Sequence, residues 1–143
     1  MKIVFDTNVV ISGLYSKRGA SYQLLKVALS GELTFAVSPL LALEYEGKID
    51  QKIAEGFLKV SKKDCDKVLD ALFAVAETVW KPVQVRPFLV DQSDDKIIEC
   101  AISGNCSHIV TFNRKHFPIS RLVPYGITAM TAGELFKIWR DKS

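Results

Sequence analysis

The sequence predicts an α/β domain built on a mostly parallel sheet of four or five strands. Short apolar runs typical of buried strands alternate along the chain with longer segments whose apolar residues recur at helical spacing. Because parallel strands are joined by crossovers that usually contain a helix, this alternation predicts βαβ units. The length of 143 residues, with 48% hydrophobic and 24% charged residues, fits one domain over residues 1–143.

Charge and cysteine content exclude several classes of protein. The net charge of +3 is too small to indicate nucleic-acid binding by itself. The three cysteines contain no CxxC pair, which argues against a disulfide framework or a zinc site and fits a reducing compartment. The apolar start is too short for a signal peptide, and no run approaches transmembrane length. We therefore expect a cytoplasmic protein without membrane association.

Strands are predicted at four short apolar runs: Lys2–Phe5, Leu33–Val37, His108–Thr111 and Ile127–Met130. Residues 79–85 are β-like but contain Pro82, so we expect a short or edge segment there. Helices are predicted over residues 20–29, 61–76 and 94–103, and after the caps Ser38 and Thr131. Loops are expected at residues 16–19 and 86–91, and Gly13 allows a bend. Residues 114–118 are expected to form a polar loop or a helical turn.

Two helices have more specific sequence signals. The helix after Ser38 carries an apolar side formed by Leu40, Leu41, Leu43, Tyr45 and Ile49. In the last helix, Thr131 and Glu134 have the spacing of a capping box. Cys100 lies in the apolar pattern of residues 94–103, so we expect it in the core.

Four polar residues stand where a strand passes to a helix or loop: Asp6, Glu44, Asp94 and Asn113. The carboxyl ends of parallel strands lie along one edge of the sheet, so these residues can converge there. No Arg or Lys stands among the four, and clustered carboxylates resist joint ionisation unless a cation is present. Oxygen ligands select Mg²⁺ or Mn²⁺, which points to phosphodiester hydrolysis.

Each of these residues also has an ordinary structural interpretation. Asp6 and Asn113 suit turns, Glu44 suits a solvated helix face, and Asp94 suits a helix N-cap. These interpretations do not predict that all four residues lie at the same sheet edge, which favours the functional hypothesis.

Four sequence blocks resemble a PIN domain, most closely the VapC-like ribonuclease toxins of toxin–antitoxin systems. They are Ile3–Val9, Ser38-Pro39 with Glu44-Tyr45, Asp91–Ala101, and Ile109–Pro118. The resemblance spans nearly the whole chain and implies a three-layer α/β/α fold. It also implies a metal-dependent ribonuclease with Asp6, Glu44 and Asp94 as metal ligands.

The resemblance assigns roles to further residues. Asn113 stands where the family often has an Asp, and the missing charge favours a single metal ion. Hydrogen bonds that orient the metal ligands and water are expected from Thr7, Asn8, Ser38 and Thr111. Additional negative charge near the metal ligands is expected from Asp91 and Asp95. Four cations are expected to bind RNA phosphates: Lys17, Arg18, Arg114 and Lys115. His116 is expected to have a structural role rather than a catalytic one.

The implied reaction is Mg²⁺- or Mn²⁺-assisted hydrolysis of single-stranded or loop RNA, leaving 5′-phosphate and 3′-hydroxyl ends. The implied partners are RNA, an antitoxin that covers the acidic site, and a second copy of the chain in a homodimer. A weakly active or non-catalytic RNA-binding module, and an RNA-processing nuclease outside toxin–antitoxin systems, remain open as alternatives. A phosphatase of the haloacid dehalogenase type would need an Asp where Asn8 stands.

Overall fold

A computed structural model describes residues 1–84 and 94–142 of the chain. The described residues form a five-stranded sheet in the order β3-β2-β1-β4-β5, and all four strand pairs are parallel. The strands are β1 (Lys2–Phe5), β2 (Thr34–Val37), β3 (Glu77–Thr78), β4 (His108–Val110) and β5 (Thr128–Met130). Helices flank the sheet in a three-layer α/β/α arrangement, so the predicted fold class is confirmed.

Seven α-helices occur in the described part of the chain. They are α1 (Thr7–Tyr15), α2 (Ala20–Leu29), α3 (Pro39–Ala54), α4 (Lys62–Val75), α5 (Asp95–Ser103), α6 (Ile119–Leu122) and α7 (Ala132–Lys142). Short 3₁₀ turns cover Arg114–His116 and Val123–Tyr125. The helices of residues 1–84 and 94–142 include none with the length and apolar composition of a membrane-spanning segment.

Helix caps follow the sequence signals closely. The Ser38 hydroxyl accepts a hydrogen bond from the Leu41 N–H at 3.2 Å, and Ser61 caps α4 in the same way. Thr131 and Glu134 exchange two hydrogen bonds, which confirms the predicted capping box.

The prediction of a bend at Gly13 is wrong, because Gly13 lies inside α1. A Cβ atom at this position would stand 2.3 Å from Leu25 Cδ1 of α2. The glycine therefore allows α1 and α2 to approach closely rather than turning the chain.

The third helix buries only part of its predicted apolar side. Leu41, Tyr45 and Ile49 are buried, whereas Leu40 and Leu43 are 48% and 63% exposed. The prediction that all five share the packed side is therefore wrong for Leu40 and Leu43. Positions 41, 45 and 49 recur every four residues and lie on one face, from which 40 and 43 are rotated away.

The edge strand lies earlier than predicted. Residues 79–84 form no strand, and β3 instead comprises Glu77 and Thr78, paired with Ala36 and Val37 of β2. Lys2 reaches across to this edge, where its Nζ lies 2.7 Å from Glu77 Oε1. Residues 85–93, including the loop predicted at 86–91, lie outside the described residues.

The sheet order reverses at β1, which makes the carboxyl edge around β1 the expected position for a ligand. Phe5 of β1 is in register with Val110 of β4, so Asp6 and Thr111 directly follow neighbouring strand ends. The Asp6 N–H still donates to the Val110 carbonyl at 2.9 Å, which fixes the backbone of Asp6 against β4.

Candidate active site

A cavity of about 180 Å³ opens at the carboxyl edge of β1 and β4. Eight residues line it: Asp6, Thr7, Asn8, Glu44, Lys48, Asp94, Asn113 and His116. The four residues of the predicted acidic constellation therefore lie around one cavity, although they come from four separate parts of the sequence.

Asp6 is the most buried carboxylate that lines the cavity, with 8% of its surface exposed. The Thr111 hydroxyl donates a hydrogen bond of 2.7 Å to Asp6 Oδ2. Burial raises the pKa of Asp6 above its usual range, and the charge of Glu44 acts in the same direction, while the hydrogen bond from Thr111 opposes the rise. The site thus holds a carboxylate whose charge is poorly solvated and would be stabilised by a cation.

Glu44 reaches the cavity from the second turn of α3 and binds two partners. The Thr7 hydroxyl donates to Glu44 Oε2, and Lys96 Nζ lies 2.6 Å from Glu44 Oε1. The premise that no Arg or Lys accompanies the carboxylates is therefore wrong. Lys96 lies on the first turn of α5, and Glu44 and Lys96 have side-chain exposures of only 19% and 18%.

Tyr45 fixes the depth at which α3 presents Glu44. Its buried hydroxyl donates to the carbonyl oxygen of Phe5, the last residue of β1. Because Phe5 precedes Asp6 and Tyr45 follows Glu44, this hydrogen bond connects the backbones that carry the two acids. Burial raises the pKa of Tyr45 well above its usual value, so the hydroxyl keeps its proton for this bond.

Asp94, His116 and Asn113 form a chain of hydrogen bonds along the rim. His116 Nδ1 lies 3.0 Å from Asp94 Oδ2, and Asn113 Nδ2 lies 3.0 Å from His116 Nε2. Since an amide NH₂ can only donate, this network assigns the His116 proton to Nδ1, directed at the carboxylate. The Asn113 N–H donates to the Thr111 hydroxyl at 3.0 Å, which links this rim to Asp6.

The residues expected to support the ligands divide into two groups. Thr7, Asn8 and Thr111 line the cavity or bind its carboxylates. Ser38 caps α3 and borders a different cavity, which lies between α3 and α5. Asp95 is fully buried at the start of α5 and does not line the acidic cavity. Asp91 lies outside the described residues.

The four predicted phosphate-binding cations lie away from the cavity lining. Lys17 and Arg18 are exposed in the loop after α1, roughly 13 Å along the helix from Asp6. Arg114 and Lys115 directly follow Asn113 but line a separate, mostly apolar cavity of about 670 Å³, and Arg114 Nη1 lies 3.3 Å from the Glu134 carboxylate.

Sequence reasoning missed the roles of Lys48 and Lys96, and the structural role expected for His116 did not include its contact with Asp94. Lys48 follows Glu44 by one helical turn, so its position on the same face of α3 could have been read from the spacing. Lys96 stands in the sequence block of Asp94, but its partner Glu44 is 52 residues away. No local signal reveals a contact of that range.

The donor set suits a hydrated Mg²⁺ or Mn²⁺ ion. Within residues 1–84 and 94–142, no three His, Cys, Asp or Glu side chains stand close enough together to hold a metal ion. However, Mg²⁺ is often held by only one or two carboxylates while keeping several waters. Asp6 and Asp94 provide two such carboxylates around one cavity, while Glu44 is engaged by Lys96 and Thr7.

Comparisons with known proteins agree with this architecture. A family model described as PIN domain matches residues 2–115, which includes β1 and the residues around Asn113. The chain belongs to the PIN domain family. One structural neighbour of this PIN domain is the crystal structure of VapBC2 from Rickettsia felis bound to a DNA fragment from their promoter.

That neighbour shares 15% sequence identity with this PIN domain and superposes with a TM-score of 0.59. The superposition covers 92% of this chain and 98% of the other, so the two share a fold over nearly their whole length. Comparison with the curated proteins finds no match.

Proposed function

We propose that this PIN domain is a Mg²⁺- or Mn²⁺-dependent endonuclease that hydrolyses single-stranded RNA. The observation that carries the proposal is the cavity at the end of β1, where Asp6, Glu44 and Asp94 converge within a PIN domain. The poorly solvated Asp6 carboxylate supports a cation there, because burial raises its pKa.

Asp6 and Asp94 would hold the cation. When bound, it would supply an activated water and neutralise charge that develops on the phosphate. Thr111 keeps Asp6 oriented through its hydroxyl, and His116 does the same for Asp94. Lys48 borders the same cavity and offers an ammonium group to an RNA phosphate. Because Lys96 offsets the negative charge of Glu44, Glu44 would help to keep the cavity ordered rather than add negative charge for the cation.

The test is cleavage of a 5′-labelled, mixed-sequence single-stranded RNA in EDTA, Mg²⁺ or Mn²⁺. Cleavage should require the metal, leave 5′-phosphate ends, and fall by at least about 100-fold in Asp6→Asn. Asp141→Asn is the matched control, because Asp141 is an exposed carboxylate on α7. Metal-independent cleavage, or cleavage that survives Asp6→Asn, would contradict the proposal.

A non-catalytic RNA-binding module is the second candidate. It is favoured by the neutral Asn113 at the cavity and by the Lys96–Glu44 ion pair, which together lower the negative charge available to a metal. Such a module would bind RNA equally well in EDTA and in Mn²⁺ and would yield no cleavage products in the assay above.

We also propose that the nuclease is the toxin of a toxin–antitoxin pair and forms a homodimer. The structural neighbour carries the name VapBC2, which supports a protein partner for this chain. An antitoxin that covers the cavity should block RNA cleavage when the two proteins are produced together from neighbouring genes. A nuclease whose neighbouring genes encode no inhibitor of its cleavage would instead be an RNA-processing enzyme.

For the homodimer, the exposed Leu40 and Leu43 on α3 offer the apolar surface. Leu43→Glu should lower the mass measured by light scattering from the mass of two chains to the mass of one chain. Ile119→Glu, at an apolar side chain that is 78% exposed on α6, is the control and should leave the dimer intact.

A further inference from the structure

Two exposed aromatic rings stand at the end of α1 and α3 that lies away from the acidic cavity. The rings of Tyr15 and Phe57 stack with centroids 4.5 Å apart and planes 12° from parallel, and they remain 58% and 44% exposed. Lys52 Nζ lies 5.5 Å from the centroid of the Phe57 ring. Exposed flat rings beside a cation are the combination that binds single-stranded nucleic acid by base stacking.

The end of α3 holds Phe57 rigidly. Gly56 takes the left-handed conformation with φ of 77°, the Phe57 N–H donates to the Lys52 carbonyl at 3.0 Å, and the Gly56 N–H donates to Ile53 at 3.0 Å. These two bonds form a Schellman motif, which satisfies the last carbonyls of the helix. The ring is therefore presented by an ordered helix end rather than by a loose loop.

The two helices connect the cavity with the aromatic pair. They meet at the cavity, where Thr7 donates to Glu44, and they meet again where Tyr15 stacks on Phe57. The path along α1 from Thr7 to Tyr15 is about 12 Å long.

Polar and basic side chains occupy this path at helical spacing. On α1, Asn8, Ser12 and Tyr15 follow one another at intervals of four and three residues. On α3, Lys48 and Lys52 follow Glu44 at successive intervals of four residues, and Lys48 borders the cavity. We call the surface formed by Asn8, Ser12, Tyr15, Lys48, Lys52 and Phe57 the stacking track.

We propose that the stacking track binds single-stranded RNA that extends from the acidic cavity, with one RNA base stacked on Tyr15. This inference rests on the proposed nuclease function, since it takes RNA as the ligand of the cavity. Lys48 provides charge for the RNA backbone along the track, whereas Lys52 shares its charge with the Glu55 carboxylate 3.4 Å away. The Lys17-Arg18 pair directly after Tyr15 provides charge beyond the track. The stacked ring selects unpaired bases, because a base within a duplex offers no free face.

Fluorescence anisotropy in EDTA tests the track apart from cleavage. The Asp6→Asn protein is titrated onto a labelled single-stranded RNA of about 16 nucleotides and onto the duplex of the same sequence. Adding Tyr15→Ala should weaken binding of the single strand by about 5- to 100-fold while changing duplex binding little. Tyr15→Phe keeps the ring and should retain the affinity for the single strand.

Three further variants separate stacking from loss of structure and from charge. Tyr125→Ala removes an aromatic ring of similar exposure that borders a cavity with Ser107, the residue before β4, and it should leave RNA affinity unchanged. Tyr15→Leu keeps an apolar contact with Phe57 but removes the flat ring, so it should bind as weakly as Tyr15→Ala while melting near the temperature of the parent protein. Lys48→Gln should lower the salt slope of binding by about 0.7, whereas Tyr15→Ala should not change it.

The outcomes distinguish this inference from the proposed nuclease. Unchanged single-strand affinity in a folded Tyr15→Leu protein, or equal losses for single strand and duplex, would overturn the track even if the unmutated protein cleaves RNA. Unchanged single-strand affinity would also be expected if Tyr15 and Phe57 contact a protein instead of RNA. Selective loss of single-strand binding in a protein that never cleaves RNA would support the track and contradict the nuclease.

Discussion

Thr111 connects the two sides of the acidic cavity through one hydroxyl. It donates to Asp6 Oδ2 and accepts the N–H of Asn113, and its side chain is fully buried. Thr111→Val keeps the shape but removes both bonds, so it should weaken Mn²⁺ binding by about 10- to 100-fold. It should also raise the pKa of Asp6 further, because the hydrogen bond from Thr111 lowers it.

Titration of Mn²⁺ followed by electron paramagnetic resonance measures this effect without any cleavage assay. Thr128→Val is the matched control, since Thr128 is exposed on β5 and lines the other, apolar cavity. Equal Mn²⁺ affinity in Thr111→Val and the unmutated protein would show that Asp6 needs no support from Thr111.

Lys96 competes with a metal ion for the charge of Glu44. Its Nζ lies 2.6 Å from Glu44 Oε1, and both side chains are mostly shielded from solvent, so the ion pair offsets one of the negative charges around the cavity. Lys96→Gln should therefore strengthen Mn²⁺ binding, while Lys96→Arg should leave it near the unmutated value. Lys137→Gln, on the exposed side of α7, serves as the control. Weaker Mn²⁺ binding in Lys96→Gln would mean that Lys96 mainly orders Glu44.

At the scale of elements, the contact of α1 with α2 depends on a missing side chain. A Cβ atom at Gly13 would come within 2.3 Å of Leu25 Cδ1 and 3.2 Å of Leu25 Cγ. Gly13→Ala should therefore destabilise the protein by about 1–3 kcal/mol, because overpacking outweighs the better helix propensity of alanine.

Gly47→Ala is the matched substitution, because Gly47 lies within α3 and has no neighbour within 4 Å of the added Cβ atom. It should stabilise the protein by about 0.5–1 kcal/mol. Urea unfolding of the two variants measures both effects. Equal changes for Gly13 and Gly47 would show that Leu25 simply moves aside.

Elements with a strong local signal were predictable from the sequence. The strand Lys2–Phe5 and the helix Ala20–Leu29 have the predicted bounds, and both have apolar residues at the period of their structure. The helix α1 was not predicted, because it follows Asp6 without a loop and its apolar run of Val9, Val10 and Ile11 consists of β-branched residues. The edge strand β3 was misplaced, because its two polar residues owe their conformation to pairing with β2 rather than to their own propensity.

At the scale of the whole molecule, convergence of distant residues was predictable where topology alone decides it. Asp6 ends β1, and Asn113 follows β4 closely, so a parallel sheet brings both to one edge. The ion pair of Lys96 with Glu44 was not predictable, because it depends on how far α5 and α3 lie apart and on two side-chain conformations. The exposure of Leu40 and Leu43 likewise depends on the rotation of α3 about its axis, which the buried Tyr45 hydroxyl helps to fix.

The three free thiols report whether the described core unfolds as one unit. Cys65 lies on α4, Cys100 on α5 and Cys106 before β4, and all three are buried. Burial raises the pKa of Cys100 to about 12 and that of Cys106 to about 11, and it raises the pKa of Cys65 as well. In the folded protein Cys100 and Cys106 therefore stay protonated at pH 9, and burial shields all three thiols from iodoacetamide.

The sign of the pH dependence follows from the same shifts. The folded pKa of Cys100 and Cys106 exceeds the reference of 9.0, so their contribution to stability is complete below pH 9 and is lost as the pH rises through about 11 and 12. The urea midpoint should accordingly fall between pH 9 and pH 11. This fall should be smaller in Cys106→Ala, although that variant starts from a lower midpoint because it leaves a small cavity.

Pulses of iodoacetamide at pH 9 in increasing urea, read by peptide mass spectrometry, test the unity of the core. The three cysteines contribute to one continuous hydrophobic cluster, so their labelling curves should coincide with one another and with loss of helical circular dichroism. Labelling of Cys65 at lower urea than Cys100 would show that α4 detaches before the sheet unfolds. Since Tyr45 of α3 packs against Phe73 of α4, early loss of α4 would also loosen the helix that carries Glu44 into the cavity.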